Sequence, residues 1–185
     1  MLTTNSTGEA GTIVYENAVL TDSFKLSFEI QLGSGDGGSF MLETTGPNAV
    51  GDPGGGLAIA GLQGYAVEFD TYDNSDCGDP DADHVGIDVL GAVCGQGEQE
   101  SIQSFPLAPF GVNLQDGQWH SAEVALVDGT LILTLDGVTV VAGFMLPGWT
   151  AGVSYWYGFS GSTGSATALQ QVRNVQVGFP TARCL

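Results

Sequence analysis

"YAVEFDTYDNSDCGDPDADHVGID", residues 65–88, begins as a strand, passes into a turn crowded with carboxylates, and becomes a strand again at His84. Tyr65, Val67 and Phe69 alternate with Ala66, Glu68 and Asp70, the period-2 pattern of a β-strand. Glu68 and Asp70 therefore share one face, roughly 7 Å apart at Cα. Two like charges so placed are costly unless a cation or a proton intervenes. The turn adds Asn74, Asp76, Asp79, Asp81 and Asp83, and His84 opens "HVGID". Oxygen ligands alone suit Ca²⁺, whereas a cluster that includes imidazole suits a transition ion. The mixed set points to two adjacent cations sharing carboxylates. An EF-hand does not fit, because with Gly78 as its invariant glycine Ser75 and Cys77 would fall on ligand positions. A short calcium loop on Asp79, Asp81 and Asp83 would leave Glu68, Asp70 and His84 unexplained. The plain alternative is a solvated acidic turn.

Outward from this segment the chain keeps the same period. "FKLSFEIQL" (24–32) places Phe24, Leu26, Phe28, Ile30 and Leu32 on one face and Lys25, Ser27, Glu29 and Gln31 on the other. "TLILTLDGVTVVAGF" reads as two strands joined at Asp136-Gly137, a strong hairpin signal. "QWHSAEVALV", "SYWYGFS" and "VRNVQVGF" add further strands, and no segment keeps a helical apolar period without glycine. Many short strands with Gly-rich turns predict an all-β fold, a two-sheet jelly-roll sandwich. Trp119 and His120 are expected in the core and at a strand edge, and Trp149, Trp156 and Tyr157 in packing.

The chain has 185 residues, the size of one domain with a full core. Lys plus Arg total 3 against 21 Asp plus Glu, for a formal net charge of -18. Three cations cannot form a basic patch, which argues against nucleic acid and anionic membranes as partners. No apolar run approaches the roughly 18 residues of a membrane span. The polar start "MLTTNSTGEAGTIVYEN" lacks the parts of a signal peptide. The chain is expected to be a domain of an extracellular protein, parted from its targeting segment, rather than cytosolic.

The three cysteines are Cys77, Cys94 and Cys184. The separation of Cys77 and Cys94 suits a disulfide closing the acidic loop, worth ~3 kcal/mol if unstrained. Two buried free thiols are the alternative. Cys184 is left over for a partner outside the chain.

"VEFDTYDN....DPDADHVGID" resembles the metal-binding segment of the L-type (legume-type) lectins: Val-Glu-x-Asp-Thr-aromatic-x-Asn, then Asp-Pro, then His-Ile/Val-Gly-Ile-Asp. The resemblance implies that Glu68, Asp70, Asp79 and His84 ligate a transition ion, usually Mn²⁺. It implies Ca²⁺ on Asp70, Asn74, Asp79 and the carbonyl of Tyr72, with Asp70 and Asp79 bridging. Asp76, Asp81 and Asp83 have no family role and are expected to be solvated, as are Glu43 and Asp52. The family's sugar-binding aspartate is matched by Asp36 in "GSGDGGSFML", which implies a cis peptide bond at Gly35-Asp36. The family's glycine N–H is matched by Gly55 in "GGGLAIAG", with Gly54 and Gly56 close in register. Asn74 would serve both calcium and sugar, and Tyr72 would offer its ring to a sugar face. "GFSGSTG" (158–164) is similar to the family's last loop and places Ser165 and Ala166 at the site edge. The resemblance covers about 24–178 within a single domain of 1–185.

It implies a metal-dependent carbohydrate-binding domain, not an enzyme, reading glycans of mannose or glucose type. The parent would be a larger secreted protein, bacterial, with the domain serving adhesion or targeting. An alternative is an adhesion sandwich without sugar binding. A glycoside hydrolase on the same fold is the third reading, since Glu68, Asp70 and Asp73 resemble a Glu-x-Asp-x-x-Glu strand. Hydrolysis needs two carboxyls flanking the bond, and Asn74, Asp79 and His84 serve no such chemistry.

Overall fold

The computed structural model describes residues 1–20, 22–94 and 98–179. Their strands, in chain order, are β1 (Ala10–Val14), β2 (Val19–Leu20), β3 (Ser23–Gln31), β4 (Gly37–Glu43) and β5 (Gly64–Asp70). There follow β6 (His84–Leu90), β7 (Val93–Cys94), β8 (Glu98–Gln99), β9 (Gln103–Pro106) and β10 (Trp119–Val127). The last are β11 (Thr130–Leu135), β12 (Val138–Met145), β13 (Ser154–Ser162) and β14 (Gln171–Gly178). Helical structure among the described residues is confined to single 3₁₀ turns, including Ser75–Cys77 and Leu114–Asp116.

Antiparallel pairing builds a 7-stranded sheet, β1-β13-β4-β5-β6-β9 with β2 added on β13. It faces a 5-stranded sheet, β12-β11-β10-β3-β14. The expected sandwich is therefore present, and the alternation in sequence decides which face each strand turns inward. Phe24, Leu26, Phe28 and Ile30 of β3 and Leu131, Leu133 and Leu135 of β11 meet Phe40, Val67, Phe69 and Ile87 of the opposite sheet in one core. Phe28 packs edge-on against Phe69 and Phe159, with centroids 6.0 and 4.8 Å apart. The residues between them face out: Lys25 pairs with Glu123 at 2.8 Å, and Arg173 pairs with Glu29 while lying over the Trp119 ring. The β11–β12 turn falls at Asp136-Gly137, both with positive φ, as the hairpin signal requires. Trp149 stacks on Tyr155 and Tyr157 packs against Phe24 and Phe40, as packing residues.

Register brings distant loops together at one end of the 7-stranded sheet. Asp70, the last residue of β5, pairs with His84, the first of β6. Gly37, the first residue of β4, pairs with Asp70 on one side and Ser162 on the other. The segments before Gly37, after Asp70, before His84 and after Ser162 therefore share one rim.

Candidate metal centre and adjoining sugar loops

Glu68 and Asp70 project from the same face of β5, and His84 comes from β6 directly across from Asp70. All three are buried, and one ligand atom from each lies within 4.8 Å of the others. His84 Nε2 stands 3.6 Å from Glu68 Oε1 and 3.6 Å from Asp79 Oδ1. An ion with ligand bonds of about 2.1 Å places its ligand atoms roughly 3–4.3 Å apart, so this spacing suits one cation. Amides of the turn fix the carboxylates: Tyr72 N–H donates to Asp70 Oδ1 and Asn74 N–H to Asp79 Oδ2, each at 2.7 Å. The Tyr72 side chain is 41% exposed beside them, which leaves its ring open to a ligand.

The imidazole carries the strongest sign of what belongs here. Its Nδ1 lies 2.7 Å from the Asp81 carbonyl, which can only accept, so Nδ1 holds the hydrogen. Nε2 then faces the carboxylates fully buried and without a hydrogen-bond partner. Burial by itself would push His84 down, yet the Glu68 contact and the charges of Asp70, Glu68 and Asp79 outweigh it and raise its pKa to about 9. Burial, then the Glu68 charge, pushes Asp70 well above the usual carboxylate range, and burial likewise raises Asp79. Nε2 must therefore hold a proton or a metal ion, and the mixed nitrogen–oxygen set suits a divalent transition ion.

Two residues of this cluster were not anticipated. Ser101 Oγ donates to Glu68 Oε1 and lies 2.9 Å from Asp88 Oδ1. Asp88 is completely buried, and its pKa is raised well above normal by burial and the Glu68 charge. Gly86 makes the arrangement possible, since a Cβ there would sit 1.9 Å from both Glu68 Oε1 and Ser101 Oγ. Asp88 belongs to the "HVGID" motif, but Ser101 arrives from beyond the β7–β8 hairpin and no local pattern marks it.

Asp36 is buried at the same rim, and the Gly164 N–H donates to its Oδ2. Gly54 borders it: a Cβ there would lie 3.9 Å from Asp36 Oδ1 and 3.5 Å from the Gly164 Cα. Gly55 follows in the same 3₁₀ turn, Gly54–Gly56. Ser165 is exposed and Ala166 half-buried just past Gly164. The structure thus gathers Asp36, Gly54, Gly164, Asp70 and Thr71 around one rim.

Several expectations are corrected. The described backbone contains no cis peptide, so Gly35-Asp36 is trans. Thr71 satisfies that turn instead, its amide donating to the Asp36 carbonyl at 3.0 Å and its hydroxyl to the Gly35 carbonyl at 2.9 Å. Glu43 is not solvated: it is fully buried, and its carboxylate accepts from the Thr45 and Gly46 amides. Asp83 is half-buried, accepting from the Leu114 amide at 3.1 and 3.3 Å, and burial raises its pKa to about 6. Asp81 accepts from the Asp83 amide at 3.0 Å, so it too is more than a solvated acid. Asp52 and Asp76 are exposed as expected. Cys77 and Cys94 form a disulfide, with Cα atoms 5.6 Å apart, tying the acidic turn to β7. Cys184 lies outside the described residues.

Residues 1–176 match the family model described as the legume lectin beta-barrel domain. A galactose-binding lectin of Arachis hypogaea is 36% identical over 83 residues, which make up 43% of this chain and 23% of that lectin's length. The fold is similar to the VIP36 exoplasmic/lumenal domain solved with Ca²⁺ and mannose, with a TM-score of 0.77 and 14% identity over 99% of this chain and 78% of that one. It is also similar to basic winged bean lectin solved with Tn-antigen, with a TM-score of 0.65 and 22% identity over 94% and 82% of the two chains. A potassium-bound Emp46p carbohydrate recognition domain matches with a TM-score of 0.66 and 11% identity over 94% of this chain and 79% of that one. At these identities the solved structures speak to the fold, and the family match speaks to descent. The chain belongs to the legume-type (L-type) lectin domain family.

Proposed function

We propose that residues 1–185 form one metal-dependent carbohydrate-binding domain that performs no covalent chemistry. The observation that carries this reading is the buried His84 Nε2, without a hydrogen-bond partner, facing the carboxylates of Glu68 and Asp79 at 3.6 Å. Glu68, Asp70, Asp79 and His84 would hold a transition ion such as Mn²⁺, and Asp70, Asn74, Asp79 and the Tyr72 carbonyl would hold Ca²⁺. Bound cations would supply charge neutralisation in the turn. Asp36 would accept hydrogen bonds from sugar hydroxyls and Asn74 would donate, while the Tyr72 ring covers an apolar sugar face. Gly54 or Gly55, with Ser165 and Ala166, would complete the rim.

Membership of a lectin family supports glycan binding. Mannose in VIP36 and galactose in the Arachis protein's name frame the sugar as a neutral hexose, with a mannose or glucose type favoured by the resemblance. A neutral ligand also suits a chain of net charge -18. A hydrolytic reading is disfavoured because Asp73 is exposed in the turn while Glu68 is buried against Ser101 and His84. An extracellular setting, as an adhesion or targeting module, is consistent with the Cys77–Cys94 disulfide. Glycan-array binding in calcium and manganese, repeated in chelator, tests the reading. Glycan signals that vanish in chelator are expected, and signals indifferent to chelator would overturn the metal dependence.

A further inference from the structure

The metal turn has a neck, where the chain leaves β5 at Thr71 and returns to β6 at Ala82 and Asp83. One side chain from a remote segment closes it. Gln115 sits in the 3₁₀ turn Leu114–Asp116, and its Nε2 donates to the Thr71 carbonyl at 3.0 Å and to the Ala82 carbonyl. A primary amide has two N–H groups on one nitrogen, so a single glutamine can hold both strands of the neck at once. The neighbouring residue adds a third tie, the Leu114 amide to the Asp83 carboxylate at 3.1 Å. Gln115 is itself held, since its own amide donates to the Asn113 side chain at 3.0 Å.

The positions so clamped adjoin the proposed ligands. Thr71 lies between Asp70 and Tyr72, and Ala82 is two residues before His84. Thr71 also extends the tie, through its amide and hydroxyl, to the carbonyls of Asp36 and Gly35. The sequence Gln115 to Thr71 to Asp36 therefore links the metal turn and the proposed sugar loop by direct hydrogen bonds. A flexible turn pays conformational entropy when it closes on an ion, and a fixed neck removes part of that cost.

We infer that Gln115 is a positioning residue for the metal turn, touching neither ion nor sugar and setting calcium affinity by holding Thr71 and Ala82 together. This rests on the metal-dependent lectin reading. The test is calorimetric titration of calcium into the chelator-stripped full chain, for wild type and Gln115→Met, which keeps the length and lacks the donors. Amide hydrogen exchange of residues 71–83 without calcium accompanies it. The expected result is a calcium Kd at least fivefold weaker, with faster exchange in the turn and a similar melting temperature in chelator. A merely structural role would lower the melting temperature in chelator and leave Kd unmoved, which would overturn the inference. Should Gln115→Met not fold, Asn113→Ala decides: at least twofold weaker calcium supports the clamp, and an unchanged Kd overturns it. Wild type that takes up no calcium would sink the metal reading itself, an outcome distinct from equal binding by wild type and variant.

Discussion

His120 Nδ1 lies 2.7 Å from Asp136 Oδ2, joining the start of β10 to the β11–β12 turn, while Nε2 meets Asp116 Oδ1 at 3.1 Å. Burial would push His120 down, but the hydrogen bonds of Asp136 and Asp116 raise it above its ordinary 6.5. Asp136 is lowered because His120 and the Ser121 amide outweigh its burial, and Asp116 is lowered first by the Gln118 amide. The imidazolium's contribution is full below its unfolded value and is lost as pH rises through the folded one. The aspartates contribute above their ordinary 3.8 and lose that contribution as pH falls. The pairs therefore stabilise most strongly between those limits. Urea denaturation at pH 5.5 and 8.5 (about one unit below 6.5 and about two above it) should show a larger decline for wild type than for His120→Gln. Equal declines would refute the assignment.

Cation binding should appear directly in stability. A ligand at a hundredfold excess over Kd adds ~2.7 kcal/mol, roughly 5–11 °C for a domain of this size. Melting in calcium and manganese against chelator measures it, and Asp79→Ala should give the chelator curve under both conditions. No difference between the conditions would remove the cations from the folded state.

Asp36→Ala should lose sugar binding and keep the metals. Removing a charged acceptor from a desolvated site costs ~1.5–3 kcal/mol, roughly ten- to hundredfold in affinity. Glycan binding and metal content are to be measured on the same preparation. Full glycan binding by the variant would move the sugar site away from the first loop.

Gly86→Ala should displace the Glu68 carboxylate or Ser101, because the new methyl would lie 1.9 Å from each. Manganese uptake, followed by paramagnetic resonance, should fall sharply. Wild-type uptake would mean that Glu68 can be moved without consequence.

Opening the Cys77–Cys94 bridge by a double serine substitution should cost ~3 kcal/mol, the loop-entropy value for its separation. About 6–12 °C of melting temperature is at stake, read by calorimetry. A change below 2 °C (under ~1 kcal/mol) would show that the metal turn needs no brace.

Most of the sandwich was legible because its signals are local. The alternation of Phe24 to Ile30 names the buried face of β3, and Asp136-Gly137 names a turn by backbone conformation alone. The candidate metal cluster was legible where its residues lie close in sequence, and the fold brings Glu68, Asp70 and His84 together with Asp79 beside His84. What escaped depends on partners far along the chain. Ser101 reaches Glu68 across 33 positions, and Gln115 reaches Thr71 across 44. Glu43 reads as a solvated acid until the folded turn brings two amides onto its carboxylate. The Asp36 turn departs from the family expectation: Gly35-Asp36 is trans, and Thr71 donates to its Gly35 carbonyl and to the Asp36 carbonyl that follows.

The described cations, Lys25 and Arg173, are both spent on the outer face of the 5-stranded sheet, paired with Glu123 and Glu29. The rim on the opposite sheet carries Asp36, Asp70, Asp73, Asp76, Asp79 and Asp81, and the charge set against them there is that of His84 rather than of Lys25 or Arg173. The molecule is thus a polarised body whose negative pole is the cation turn. Such a pole concentrates divalent ions from solution before any ligand is touched, over a reach of about 10 Å at 0.1 M salt. Calcium capture by this domain should be fast in dilute media and slow progressively as ionic strength rises, while release, governed by the inner carboxylates, should change little.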